Sequence, residues 1–374
     1  MILTVLSVRR WCLETMRVTA TIDAHSNVNG GAYWVDGVQR NIFTQGRNGV
    51  IRQFAIVRKE TIRDHSRDQD EDSDDSHSVN DDDSDDDGEE EEQLVTDVEY
   101  CDTIKEEEDF GFCTCALTLN KRSENSVSQN VSLAVPRSQG RISIYTMCGR
   151  PNVCLTESAT NDGRETLRFC PDESLKLGMC MSMTFAEVTR SETRVLVGYE
   201  DGSLVLWGSA LPSPPHVVRC NAPLCRMKMF ESSPVLSLDY SASLRVGFVG
   251  SAVATLIKFE LNEADEDQTK PVLFKASPKT GIEFPSDGVS FVRLRTNPHF
   301  PELAIAGGWN ARVYVFSLRH LKPLAELELH KKTIRCVDFH ADSGVMAVAS
   351  DDSHVSLWNL YCQSKSKSNR NATT

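Results

Sequence analysis

One pattern recurs along the chain and limits what it can fold into: a turn, then four or five β-forming residues, then an aromatic. It reads GYEDGSLVLW ending at Trp207, ASDDSHVSLW ending at Trp358 and AGGWNARVYVF ending at Phe316. Weaker copies are TQGRNGVIRQF ending at Phe54, SQGRISIY at Tyr145, GSAVATLIKF at Phe259 and LSVRRW at Trp11. The aromatics are spaced by 43, 91, 62, 52, 57 and 42 residues, and the shortest spacings fit a unit of four short strands. Six residues before the aromatic stands Asp201, Asp352, Asn310 or Asn48, residue types whose side chains cap nearby backbone N–H groups in tight turns. The run before each aromatic is apolar at nearly every position, as in Leu204-Val205-Leu206-Trp207. A strand exposed on one face would alternate, so this run belongs to a sheet covered on both faces. Second and third strands are expected upstream of each turn, at Val195–Gly198 and Val345–Val348, and at Val235–Leu238 and Ile334–Val337.

Spacing also exposes an insertion. The gap of 91 residues is about two units long and holds an acidic tract. Residues 61–110 carry 24 Asp/Glu against 3 Lys/Arg, so the formal charge of −14 is set there and the other 324 residues sum to +7. A stretch such as DDDSDDDGEEEE repels itself and has little apolar surface to bury, which predicts disorder. It is read as a solvated inter-blade loop, with a docking segment for a basic partner as the sharper alternative. Ser78 and Ser84 each have an aspartate three residues on and are candidate phosphosites. Asp83, Asp85, Asp87 and Gly88 resemble the start of a calcium loop, but the twelfth position is Leu94 rather than a bidentate Glu.

These repeats resemble the WD40 family, whose fold is a β-propeller of four-stranded blades. The last repeat carries the fullest signature: His330 before the first strand, Ser350 ending the second, Asp352 in the turn and Trp358 ending the third. The resemblance implies that these four form a structural hydrogen-bond network. On paper they also look like a catalytic triad, but a Ser hydroxyl held in a strand network is not free to attack a carbonyl. His25 keeps the loop histidine of the second blade, whereas Val253 and Gln139 replace the turn residue in the fifth and third. The fold class expected is all-β: a seven-bladed propeller with an incomplete first blade and a disordered acidic insertion. Its expected parts are 1–57 (partial blade 1 and blade 2), 58–108 (the insertion), 109–362 (blades 3–7) and 363–374 (a disordered tail). Only one strand precedes Trp11, so either earlier strands are missing from the sequence or the ring stays open.

Several segments resemble one branch of that family, the ASTRA-associated WD40 proteins. They are KLGMCM from Lys176, PVLSLDY from Pro234, HLKPLAELELH from His320, VSLWNLY from Val355, DFGFCTCAL from Asp109 and IFTQGRNGV from Ile42. The resemblance implies a non-enzymatic scaffold in the co-chaperone machinery that matures phosphatidylinositol-3-kinase-related kinases, with co-chaperones and large kinases as partners. Two alternatives stay open: a chromatin or ribonucleoprotein adaptor that receives basic proteins on the acidic loop, and a G-protein β-type signalling subunit. The latter needs an N-terminal heptad helix, and the chain starts MILTVLSVRRW, which reads as a strand.

Enzyme signatures are lacking: the sequence has no GxxxxGK[ST], HExxH, GxSxG or dinucleotide glycine motif. No metal or other cofactor is expected. Twelve cysteines form no zinc pattern, Cys113-Thr-Cys115 being the tightest pair, and read as reduced thiols of the cytoplasm or nucleus. No run of 18 apolar residues would span a membrane. The basic tail Lys365–Arg370 lacks the aromatics of a nucleic-acid platform.

Overall fold

The structure is a computed structural model. It describes residues 2–3, 8–12, 17–22, 25, 32–38, 41–46, 49–59, 95–104, 113–119, 130–148, 165–188, 192–210, 217–262, 273–276 and 282–361. Asn48, Ser78, Ser84 and the segment 363–374 lie outside the described residues.

The described residues form seven sheets, each built on a meander of antiparallel neighbours, with one parallel strand added to the third. The first holds β1 (Ile2–Leu3), β2 (Val8–Cys12) and β3 (Arg17–Ile22). The second holds β4 (Ala32–Val38), β5 (Asn41–Gly46), β6 (Ile51–Lys59) and β7 (Val95–Ile104). In the third are β8 (Ala116–Leu119), β9 (Asn130–Pro136), β10 (Ile142–Cys148) and β11 (Glu165–Phe169). The fourth joins β12 (Cys180–Val188), β13 (Glu192–Tyr199) and β14 (Ser203–Ala210), skips β15 (Val218–Cys220), and ends on β16 (Cys225–Lys228). The fifth is β17 (Val235–Ser241), β18 (Val246–Ser251) and β19 (Thr255–Asn262), edged by β20 (Leu273–Ala276) and β21 (Ile282–Glu283). The sixth is β22 (Val289–Arg295), β23 (Leu303–Gly308), β24 (Arg312–Ser317) and β25 (Pro323–Glu328). The last is β26 (Ile334–Phe339), β27 (Met346–Ser350) and β28 (Val355–Trp358). Each repeat aromatic falls on a strand of its own sheet, from Trp11 on β2 to Trp358 on β28.

The continuous apolar runs are explained by where the cores lie. Along β14, Leu204 and Leu206 pack with Val249, Ile257 and Phe259 of the fifth sheet. Val205 and Trp207 point the other way, into Ile144, Leu167 and Phe169 of the third. Both faces of one strand are therefore buried, each against a different neighbour. The same holds along the row: one core joins Phe43 and Ile51 to Leu133 and Tyr145, another joins Leu256 to Ala304 and Phe316, and another joins Val313 and Val315 to Ile334 and Val348. No helix among the described residues is long and apolar enough to cross a membrane.

The boundary of the insertion needs correction. Residues 58–59 belong to β6 and 95–104 form β7, in register Lys59↔Val95 and Arg58↔Thr96. The acidic average concealed this strand. Its sequence alternates, Thr96, Val98 and Tyr100 against Asp97 and Glu99, which is strand periodicity whatever the charge. The tract also joins two paired strands of one sheet rather than two blades. Replacing 60–94 by a two-residue Asn-Gly turn, which closes the hairpin at Lys59 and Val95, is therefore expected to shift the melting temperature by no more than about 2 °C, whereas deleting 61–110 removes β7 and lowers it clearly. Differential scanning calorimetry of both variants checks this; equal losses would contradict it.

β15 departs from the meander. It pairs in parallel with β11 of the preceding sheet, Leu167↔Val218 to Phe169↔Cys220, and Cys170 N–H donates to the Cys220 carbonyl at 2.9 Å. The connection between β14 and β16 thus seals the outer edge of its neighbour.

Candidate functional site: hydrogen-bond relays inside and between the sheets

In the last sheet the turn and loop side chains form a closed relay. His330 Nδ1 lies 3.0 Å from Asp352 Oδ2, and His330 Nε2 lies 2.8 Å from Ser356 Oγ. The Trp358 indole N–H donates to the same Ser356 oxygen at 2.7 Å. The carboxylate fixes the tautomer: Nδ1–H donates to Asp352, and Nε2 accepts from the Ser356 hydroxyl. Ser350, assigned to this chain from the sequence, stands to one side. Its hydroxyl donates to the Lys332 carbonyl at 2.9 Å and accepts the Asp352 N–H at 3.2 Å, closing the turn. The hydroxyl that the sequence reading missed is Ser356. Its signal was a polar residue two before the tryptophan, hence on the same face of the strand.

Asp352, His330 and Ser356 have the connectivity of an acyl-transfer triad, but not its access. The His330 and Asp352 side chains are 3% and 10% exposed, Ser356 is buried, and its oxygen is already hydrogen-bonded on both sides. Such a relay is structural. Burial alone would raise the Asp352 carboxyl, but the backbone N–H groups of Lys331 and His354 together with His330 hold it well below the usual carboxylate range. A carboxyl depressed in the folded state contributes stability in full above its unfolded value near pH 4, and that contribution is lost as pH falls through the folded value. Asp352→Ala is expected to cost about 1–3 kcal/mol at neutral pH by stranding the groups it holds. Asp352→Asn should flatten the acid limb of the stability curve; urea unfolding between pH 2 and 7 measures both.

Other sheets solve the same problem with different residues. Trp207 has Val205 two positions before it, which cannot accept its N–H, so the partner is Tyr199 on the adjacent strand at 2.9 Å. The Tyr199 hydroxyl then donates to the Gly140 carbonyl of the third sheet at 3.1 Å, so this relay crosses between sheets. Gly140 has φ +70°, and a Cβ there would lie 2.5 Å from the Gly178 carbonyl oxygen, so glycine is needed for both the turn and the contact. Asp201 turns outward: it accepts from Ser203 N–H and Oγ at 2.9 and 2.7 Å and pairs with Arg226 at 2.8 Å and with Lys228. Burial opposes its charge, but the Ser203 bonds and Lys228 prevail and lower its carboxyl. Asn310 donates to the Pro285 carbonyl of the preceding loop at 2.9 Å and to the Tyr314 hydroxyl of its own hairpin at 2.7 Å. Phe316 and Phe54 are buried rings on β24 and β6. Where Gln139 replaces the turn acid, Arg137 takes over, donating to Ser143 and to the Tyr145 hydroxyl at 2.9 Å. Val253 is exposed.

In the second sheet His25 Nε2 meets Thr44 Oγ1 at 2.9 Å. Burial, helped by the Arg52 charge, lowers His25 to about 4. Between pH 6.5 and about 4 the unfolded chain binds the proton and the folded chain does not, so stability falls as pH drops through that window. Replacement by Gln is expected to remove this slope, read as the change in urea midpoint from pH 7 to 4.5. An unchanged slope would contradict it.

Polar contacts tie the first strands of successive sheets together. Arg293 on β22 contacts Asp338 on β26 at 2.8 Å, and Asp239 on β17 accepts the Leu294 N–H at 2.7 Å. Arg295 is buried between the Phe300 and Phe339 rings and donates to the Pro301, Gly344 and Leu360 carbonyls. Among the described residues no group of three or more His, Cys, Asp or Glu could hold a metal.

Residues 321–359 match the family model for the WD domain, G-beta repeat. The whole arrangement aligns with the crystal structure of the Myceliophteria thermophila Cps50 (Swd1) β-propeller domain at a TM-score of 0.60 and 10% identity, covering 95% of this chain and 90% of that one. The fold is a β-propeller. By sequence the propeller is similar to mouse guanine nucleotide-binding protein subunit beta-like protein 1, 32% identical over 232 residues. It is also similar to Schizosaccharomyces pombe ASTRA-associated protein 1, 28% identical over 199 residues. The matches cover 61% and 52% of this chain, which spans 60% and 51% of those relatives' lengths. The relays described above are then internal ties of propeller blades, and His330, Asp352, Ser356 and Trp358 belong to the segment that matches the repeat model.

Proposed function

We propose that the chain is a non-enzymatic scaffold for protein–protein interactions, working in the cytoplasm, the nucleus or both, within the co-chaperone assembly that matures phosphatidylinositol-3-kinase-related kinases. The observation that carries this reading is the likeness to a relative named for its association with ASTRA and to the mouse β-like protein. The geometry supports the scaffold part. The polar groups that imitate a triad are consumed in holding strands together, so the working surface is the outside of the propeller. Depleting the protein from its own cells and following the steady-state level of the large kinases tests the assignment. Their loss, restored by re-expression of the chain, is the expected result; unchanged levels after complete depletion would overturn it.

A further inference from the structure

Packing between the fifth and sixth sheets is incomplete at the rim. In the fifth sheet the outer strand is split: β20 pairs with Phe259–Asn262 of β19, while the two-residue β21 pairs only with Thr255 and Leu256. Facing it across the gap are β24 and the outermost strand β25. Between them lies an open groove of about 600 Å³. Phe284 and Phe316, both buried, line it together with Pro323 and Leu324, and Leu324 is 43% exposed. Its lining tyrosine asks for nothing polar, because the Tyr314 hydroxyl is already bonded to Asn310 and the Pro285 carbonyl.

The charged side chains lining the groove are acidic. Glu283 and Glu326 both border it, and Glu328 follows on the same face of β25. Arg312 pairs with Glu326 and Glu328, which leaves three carboxylates against one guanidinium. Among the described residues, β25 also has no strand on its outer edge. An apolar floor, an acidic rim and a free strand edge together specify an extended, basic peptide with a large apolar side chain.

We propose that this groove docks a short extended segment of a partner protein, with one aliphatic or aromatic side chain seated against Phe284 and Phe316 and lysine or arginine beside it at Glu283 and Glu326. The proposal rests on the scaffold reading and adds to it a place and a partner chemistry. A groove of this size engages one or two side chains, so binding is in the micromolar range or weaker and falls with added salt.

The test uses the full chain and two fluorescein-labelled nonapeptides with Leu-Ser-Phe at the centre, one flanked by lysines and the other by glutamates. Fluorescence anisotropy should show saturable binding of the lysine peptide and at least ten-fold weaker binding of the glutamate peptide. Leu324→Asp and Glu283→Lys should each weaken the lysine peptide about ten-fold while leaving the melting curve in place, since both positions are at the surface. No saturable binding up to about 1 mM, or equal affinity for the variants, would overturn the groove. Affinity capture from cells separates this from the scaffold reading. If Leu324→Asp captures the same proteins as the unmodified chain, the groove fails and the scaffold stands; if neither captures any, the scaffold reading fails as well.

Discussion

Replacing Trp207 with alanine is expected to destabilise the protein by about 3–5 kcal/mol, the range for emptying a large aromatic site that cannot collapse. Trp207 is fully buried and its ring centroid lies 5.7 Å from that of Phe169 in the neighbouring sheet. Its walls are strands held by ladders on both sides, which leaves little room to relax into the hole. Trp207→Phe is the intermediate case. It keeps a six-membered ring but removes the fused five-membered ring with its N–H, while the Tyr199 hydroxyl keeps its bond to the Gly140 carbonyl, so a smaller cavity and one lost hydrogen bond together are expected to cost about 2 kcal/mol. Trp358→Ala should cost less than Trp207→Ala, because Trp358 is only partly buried. Urea unfolding of the three variants decides the order; a Trp207→Ala cost below about 1 kcal/mol would contradict the packing described.

Arg295→Ala is expected to cost about 3 kcal/mol or more. The substitution strands three carbonyls, from Pro301, Gly344 and Leu360, at roughly 1 kcal/mol each, and removes the cation from between two rings. Arg295→Lys keeps the charge but not the fork that reaches separate acceptors, so it should recover only a minor part of the loss. Full recovery by lysine would show that charge, not geometry, is what the site uses. Because Leu360 follows the last strand, both variants should also speed proteolysis from the C-terminal side under native conditions.

What could be read from the residues follows from how local its cause is. The run Leu204–Trp207 announced a strand covered on both faces, and its side chains divide between two cores as that pattern requires. Asp352 and His330 were legible because turn chemistry and loop position are set within one repeat. Ser356 was legible too, from its place two before Trp358, but Ser350 drew the assignment because it ends the preceding strand. Tyr199 was not legible: its role depends on a carbonyl 59 residues away in another sheet. The same holds for Arg295, whose acceptors lie 6, 49 and 65 residues along the chain. β15 pairs in parallel with a strand of the preceding sheet, a choice that no local periodicity encodes. β7 was hidden for a different reason. Net charge over a 50-residue window outweighed a ten-residue alternation, and the window was too wide.

Affinity purification of the tagged chain from its own cells, with quantitative mass spectrometry, tests the central claim most directly when run beside the version with Asn-Gly in place of 60–94. The account predicts that both versions recover the co-chaperones that mature the large kinases, in similar amounts, since the propeller is the working part. Recovery of histones or ribonucleoproteins instead, lost when 60–94 is removed, would contradict it and assign the binding to the acidic tract.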